Sequence, residues 1–234
     1  MPSKLRHILV LWLAIDAVFV CGEYKDENLR KDSDFPNDIA NVAVWRKGKK
    51  NWKGIGRQYN NPPPPEQGAK MARYIVHNSE WASLGSISSL SKIKGYPFTD
   101  VFSISDGTLL NSTGVPYLYM TPLDLSSKNI ERDNRCSLSL SLAQSNYCQK
   151  NNLDPEDPRC AHVVLTGKML KVKKGSEEEE IARSSLFSRH PAMKNWPKDH
   201  NWFFAKLKIE SICLLDYFGG PKYISVDDYF NVKI

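Results

Sequence analysis

Seven short apolar runs, set apart by turn-forming residues, constrain this 234-residue chain more than any other feature. They fall at residues 82–88, 98–105, 117–121, 136–143, 162–172, 202–209 and 212–215. Runs of this length, rich in β-branched and aromatic residues and bounded by turn signals, predict strands rather than helices. Lys94-Gly95 and Asp106-Gly107 read as turns between them. Two segments have a different period. Ala69, Ala72, Ile75 and Val76 recur at helical spacing. Residues 176–187 read as a helix that Ser176 can cap, with Glu177 to Glu180 at its positive end. Between the fifth and sixth runs lies a polar loop broken by Pro191 and Pro197; it leads into an aromatic strand start at Trp202, and Asp216-Tyr-Phe-Gly-Gly220 closes the unit. Many strands with two or three peripheral helices predict a mainly β, α+β fold built on a closed or partly closed barrel. A composition of 41% hydrophobic and 25% charged residues fits an ordinary core in one domain with appendages.

The N-terminus reads separately. Lys4, Arg6 and His7 precede an apolar stretch at 8–20, and Val20-Cys-Gly22 offers small residues for cleavage. These are the parts of a secretory signal peptide at 1–22, although Asp16 interrupts the apolar stretch. The stretch is short for a membrane span, which takes about 20 residues. No later segment approaches that length, so the expectation is a secreted chain with no membrane span once the signal is removed. Residues 23–67 are polar and end in Asn60-Asn-Pro-Pro-Pro-Pro65, which predicts a disordered tail finishing in an extended polyproline spacer. Inside it, residues 45–57 set cations around Trp45 and Trp52. That pattern suits a polyanion such as a glycosaminoglycan, or nucleic acid, and equally a solvated linker. The net charge of +6 serves either an anionic partner or plain solubility. The folded domain is expected over 68–234.

Several segments carry a resemblance. Ser79-Glu-Trp-Ala-Ser-Leu-Gly-Ser-Ile-Ser-Ser, Pro97-Phe-Thr-Asp-Val-Phe-Ser-Ile-Ser-Asp-Gly, Gly114-Val-Pro-Tyr-Leu-Tyr, Leu142-Ala-Gln-Ser-Asn-Tyr-Cys148 and the stretch 188–220 resemble, in that order, the CREG family of secreted glycoproteins, the cellular repressors of viral-oncoprotein-stimulated genes. The resemblance covers about Ala69 to Val232. It implies the split β-barrel of flavin-binding proteins such as the pyridoxamine-phosphate oxidases, and a homodimer in which two barrels build the flavin pocket. The family carries a cysteine pair at positions matching Cys148 and Cys160, so these are expected to form a disulfide across a polar, proline-bearing loop. In CREG proteins that loop also covers the pocket. Cys136 and Cys213 sit in apolar runs and read as buried free thiols.

Flavin-binding relatives clamp the FMN phosphate with cations. Where oxidase-type relatives have Pro-x-x-Arg, this chain has Pro97-Phe98-Thr99-Asp100, a carboxylate in place of a guanidinium. A later Lys on that strand falls near Ser105, and a Ser-Arg-Lys helix start becomes Ser126-Ser127-Lys128. One clamp position is inverted, one neutralised and only Lys128 retained, so no FMN and no other cofactor is expected. No catalytic residue is identified: the chain has no nucleophile-elbow pattern. No metal site is expected either, because His77, His162, His190 and His200 lack the spacing of a helical metal pair. His190, beside Pro191, reads as a loop residue bonded to backbone. Asn111-Ser-Thr113 is the one standard N-glycosylation sequon. CREG proteins carry glycans later in the domain and near the C-terminus, where this chain has Val172-Lys-Lys-Gly, Lys208-Ile-Glu and Asn231-Val-Lys. That departure weakens the mannose-6-phosphate-receptor binding and lysosomal delivery that the resemblance implies. Two functions stand side by side: a non-enzymatic secreted or endolysosomal glycoprotein that restrains growth and promotes differentiation through protein contacts, and a flavin- or heme-binding oxidoreductase.

Overall fold

The computed structural model describes residues 61–234. The expected signal peptide at 1–22, the tail up to residue 60 and its basic aromatic segment lie outside the described residues. Strands β1 (Trp81–Ile87), β2 (Pro97–Thr108), β3 (Asn111–Met120), β4 (Arg135–Ser141), β5 (His162–Lys171), β6 (Phe203–Leu215) and β7 (Lys222–Ile224) alternate with helices α1 (Gly68–Asn78), α2 (Leu125–Arg132), α3 (Tyr147–Lys150), α4 (Glu177–Arg189) and α5 (Val226–Asn231). The strands pair antiparallel in the order β3-β2-β1-β4-β5-β6-β7. A further pairing of β3 with β6 closes the first six into a barrel. The barrel, α1 and α4 are those the sequence predicts; the short helices α3 and α5 are not read from it.

Period-2 alternation fills the interior. Ala82 and Leu84 of β1, Leu138 and Leu140 of β4, Val163 and Leu165 of β5, and Ala205 and Leu207 of β6 are all buried in one cluster. α1 adds Met71, Ala72, Ile75 and Val76 to it, so the helical stripe read from the sequence is the face that meets the barrel. Burying a side chain of Leu size contributes about 1.5–3 kcal/mol. A second cluster lies outside the barrel wall, where Ala182 and Leu186 of α4 cover Tyr117 of β3 and Phe204 of β6. α4 starts as predicted, with the Ser176 hydroxyl accepting a hydrogen bond from the Glu179 amide at 3.3 Å.

Four local readings change. The runs at 202–209 and 212–215 form one strand, β6, because Glu210 is accommodated as a bulge: Thr166 pairs with Ser211 and Gly167 already with Ile209. Only glycine fits opposite it, since a Cβ on Gly167 would lie 2.0 Å from the Lys208 carbonyl oxygen. Asp106-Gly107 is not a turn but a register shift inside β2, and the hairpin turns instead at Leu109-Leu110. β3 therefore begins at Asn111, well before the predicted 117. Cys213 is half-buried rather than buried, while Cys136 is buried and desolvation pushes its thiol pKa up to about 12. The pair Cys148 and Cys160 is bonded, with Cα atoms 5.5 Å apart.

Protein from an oxidising host should take up no alkylating label at Cys148 or Cys160 before reduction, as read by peptide mass. Cys148→Ser should lower unfolding stability by on the order of 3 kcal/mol in urea, by freeing the unfolded chain. Full labelling of both thiols in unreduced native protein would contradict the pairing.

Candidate functional site

The inverted clamp position lies at the start of α2. Asp100, on the exposed stretch of β2, accepts hydrogen bonds from the Val101 amide at 2.8 Å and from the Ser126 hydroxyl at 3.2 Å. Ser126 is buried in the first turn of α2, and Asp124 occupies the N-cap position. Burial raises the Asp124 pKa, and the nearby charge of Asp100 adds to the effect. A helix start with a free serine hydroxyl is a natural seat for an anion. Here the chain's own carboxylate holds that seat. Lys128, one turn further along α2, is exposed. Ser105 is elsewhere: it is fully buried and donates to the Gly107 carbonyl at 2.6 Å, within the β2 bulge. The three sequence positions therefore do not converge. Two carboxylates and one exposed lysine do not fit a flavin phosphate, because like charges at about 4 Å repel by roughly 4 kcal/mol at an effective dielectric of 20.

The bulge has a different purpose. It turns the Asp106 carboxylate inward, where it is fully buried. His77 of α1 approaches it at 2.8 Å and Arg189, the last residue of α4, at 3.4 Å. The Ser112 hydroxyl donates to it as well. Arg189 also donates to the carbonyls of Gly107 at 3.1 Å and Ser79 at 3.3 Å. A second buried guanidinium, Arg73 of α1, donates to Ser112 and to the Tyr229 carbonyl of α5 at 3.0 Å. Gly114, at φ +79°, makes room for it, since a Cβ there would lie 2.9 Å from the guanidinium carbon. Burial alone would raise the Asp106 pKa; the hydrogen bond and charge of His77, the Ser112 hydroxyl and Arg189 outweigh it and hold the carboxyl below its ordinary range. Sequence reasoning missed this group. Its one available signal was Arg73, which sits in the apolar stripe of α1 beside Ala72 and Val76.

The remaining candidate residues are placed as follows. Asn111 is exposed at the first position of β3, directly after the hairpin turn. The Thr113 hydroxyl of the same sequon donates to the Asp106 carbonyl at 2.6 Å. His190 is bonded to backbone, through its Nε2 and the Ile104 carbonyl at 2.9 Å. The proline-broken loop folds its tryptophans onto the barrel wall: Tyr119 stacks with Trp202 at 5.0 Å and with Trp196 at 6.1 Å between ring centroids. Among the described residues, no group of three or more His, Cys, Asp or Glu side chains is arranged to hold a metal ion. No helix among them is long and apolar enough to cross a membrane.

Residues 63–231 match the sequence profile described as CREG, beta-barrel. Protein CREG1 of Mus musculus is 48% identical over 180 residues, covering 77% of this chain and 81% of that protein. Protein CREG1 of Gallus gallus is 46% identical, over 73% of this chain and 89% of its own length. Protein CREG2 of Homo sapiens is 42% identical, over 75% and 60% respectively. Among solved structures, a heme binding protein from Mycobacterium smegmatis superposes with a TM-score of 0.54 at 15% identity, covering 71% of this chain and 60% of that one. At that identity the likeness is one of fold alone.

Asp106→Asn should cost about 3–5 kcal/mol, because it leaves Arg189 buried beside a neutral group. Because the folded pKa is depressed, the Asp106 contribution is complete above its unfolded value of about 3.9 and is lost as pH falls through the folded value. Urea midpoints measured from pH 6 down to pH 2.5 should therefore fall less steeply at the acid end for Asp106→Asn than for the unaltered protein. Parallel pH curves for the two would contradict this account. Ser112→Ala, a milder change at the same carboxylate, should show the effect in smaller measure.

Proposed function

This chain belongs to the CREG family, and from that premise we propose that it is a secreted or endolysosomal glycoprotein that works by binding other proteins, not by catalysis, in the control of cell growth and differentiation. The observation that carries this reading is Asp100, whose carboxylate accepts from Ser126 at the very helix start where oxidase-type relatives place phosphate-binding cations. A barrel whose anion seat is filled by its own side chain has given up the cofactor chemistry of the flavin-binding relatives and kept its surfaces. Exposed apolar side chains lie close in sequence to Asp100 and to the start of α2: Val101 is 64% exposed and Leu123 60%, with Tyr96 and Leu125 also exposed. Exposed apolar side chains that gather on a surface mark contact surfaces. We assign them to a homodimer of two barrels. A glycoprotein receptor of the mannose-6-phosphate type remains a partner of the second rank, because the later family sequons are absent here. The basic aromatic tail supplies a separate means of holding a polyanion.

The reading predicts that purified native protein has no flavin absorbance in the visible range and that added FMN does not raise its melting temperature by mass action. Asp100→Arg is the single substitution expected to create a measurable FMN-dependent shift. Stoichiometric flavin or heme in the unaltered protein would replace this reading with that of an oxidoreductase.

Secretion carries its own expectation. Asn111 should bear the only standard N-linked glycan, so Asn111→Gln should abolish every glycosidase-sensitive shift in mass. A cytosolic, unglycosylated native protein would overturn the localisation.

A further inference from the structure

A cavity of about 530 Å³ lies between α2 and the adjoining ends of β3, β5 and β6. Neither Asp100 nor any other residue of β2 lines it, so it is separate from the filled anion seat. Its volume falls in the range of small-molecule sites, about 300–1,000 Å³. The inner wall is apolar, formed by Met120, Met169 and Phe203. Ser127 belongs to the lining; it is 8% exposed, and its hydroxyl is buried without a hydrogen-bond partner. A buried hydroxyl left unpaired costs about 1–3 kcal/mol, and a native protein that tolerates one calls for a partner.

The rim supplies charge. Lys128, Arg132 and Lys171 line the cavity, and among the described residues none of them is within ion-pair distance of a carboxylate. The Lys171 ammonium stands 4.6 Å from the centroid of the Phe203 ring, at the junction of apolar wall and cationic rim. Two carboxylates share the lining, Glu131 and Asp133. Asp133 is paired with Arg135, whose side chain donates to it three times, at 2.6, 2.9 and 3.2 Å. Glu131 alone does not balance three cations.

We propose that this cavity is a binding site for an amphiphilic carboxylate, with its apolar body against Met120, Met169 and Phe203 and its carboxylate accepting a hydrogen bond from Ser127. Lys128 and Lys171 provide the countercharge. The three features explain one another: an apolar wall alone would take any oil, cations alone would hold any anion, and the orphan hydroxyl asks for an acceptor at the boundary between them. The site uses no residue of β2, and it takes Ser127 and Lys128 from the helix start where flavin-binding relatives clamp a phosphate.

The test is isothermal titration of the intact secreted protein with decanoate, decanol and decylamine, all below their aggregation limits. Decanoate should bind at one site per chain, decanol at least tenfold more weakly, and decylamine with no measurable heat. Lys128→Glu and Lys171→Glu, both at exposed positions, should each weaken decanoate by tenfold or more while leaving the melting temperature of the free protein in place. Ser127→Ala should weaken it by about tenfold or more, as the loss of one hydrogen bond to a charged group does. No heat with decanoate, equal affinity for decanoate and decylamine, or unchanged binding in both lysine variants would each overturn the proposal.

Discussion

The buried carboxylate of Asp106 is the interaction on which the arrangement of the other parts depends. It receives His77 from α1, Arg189 from the end of α4 and Ser112 from β3, so three elements are referred to one point on β2. Removing an ionised group from water is costly, and such a centre persists only when its partners are complete. Completeness is achieved here by backbone as much as by side chains. Arg189 satisfies the carbonyls that the register shift at Gly107 and the end of α1 leave over, and Arg73 continues the chain of contacts to α5. The bulge in β2 is therefore a device for aiming a carboxylate inward, and the helices outside the barrel take their positions from it.

At α2 the chain uses the opposite solution. A helix start that attracts anions is satisfied from within the sequence, by Asp100 through Ser126, and the nearby Asp124 is pushed toward its neutral form by burial and by the same charge. An internal anion is held permanently and needs no ligand to be bound. What remains open to the outside includes exposed apolar side chains such as Val101 and Leu123, and the cavity lined by Ser127, Lys128, Arg132 and Lys171.

The barrel was legible in the sequence because its strands alternate: Ala82-Leu84, Leu138-Leu140 and Val163-Leu165 each put every second residue inside. Features that break the period were not. β6 looked like two strands because Glu210 and Ser211 interrupt the apolar pattern, and only the glycine opposite, Gly167, records that the ladder continues. The first half of β3, Asn111 to Pro116, reads as loop because it is polar and carries Gly114, whose missing side chain is the space Arg73 occupies. β7 and α5 are too short for a periodicity to show. At the candidate site Asp100 and Lys128 could be picked out one by one, while the grouping of Asp106, His77, Arg73 and Arg189 could not, although Arg73 stands out in the apolar stripe of α1. Their meeting is a product of the closed barrel, and no local spacing encodes it.

Closure itself has a consequence for how such a chain comes into being. β6 is the last long strand made, and it is the only one that pairs with β3 across the seam as well as with β5 beside it. Until it is added, the five earlier strands form an open sheet with two unpaired edges, at β3 and at β5. α4 precedes β6 and packs on the outer face of β3 around Tyr117. Open edges are templates for pairing with other chains, and contacts between strands so distant in sequence form late. A chain that ends before β6 is a sheet; the barrel exists only once β6 has joined both edges.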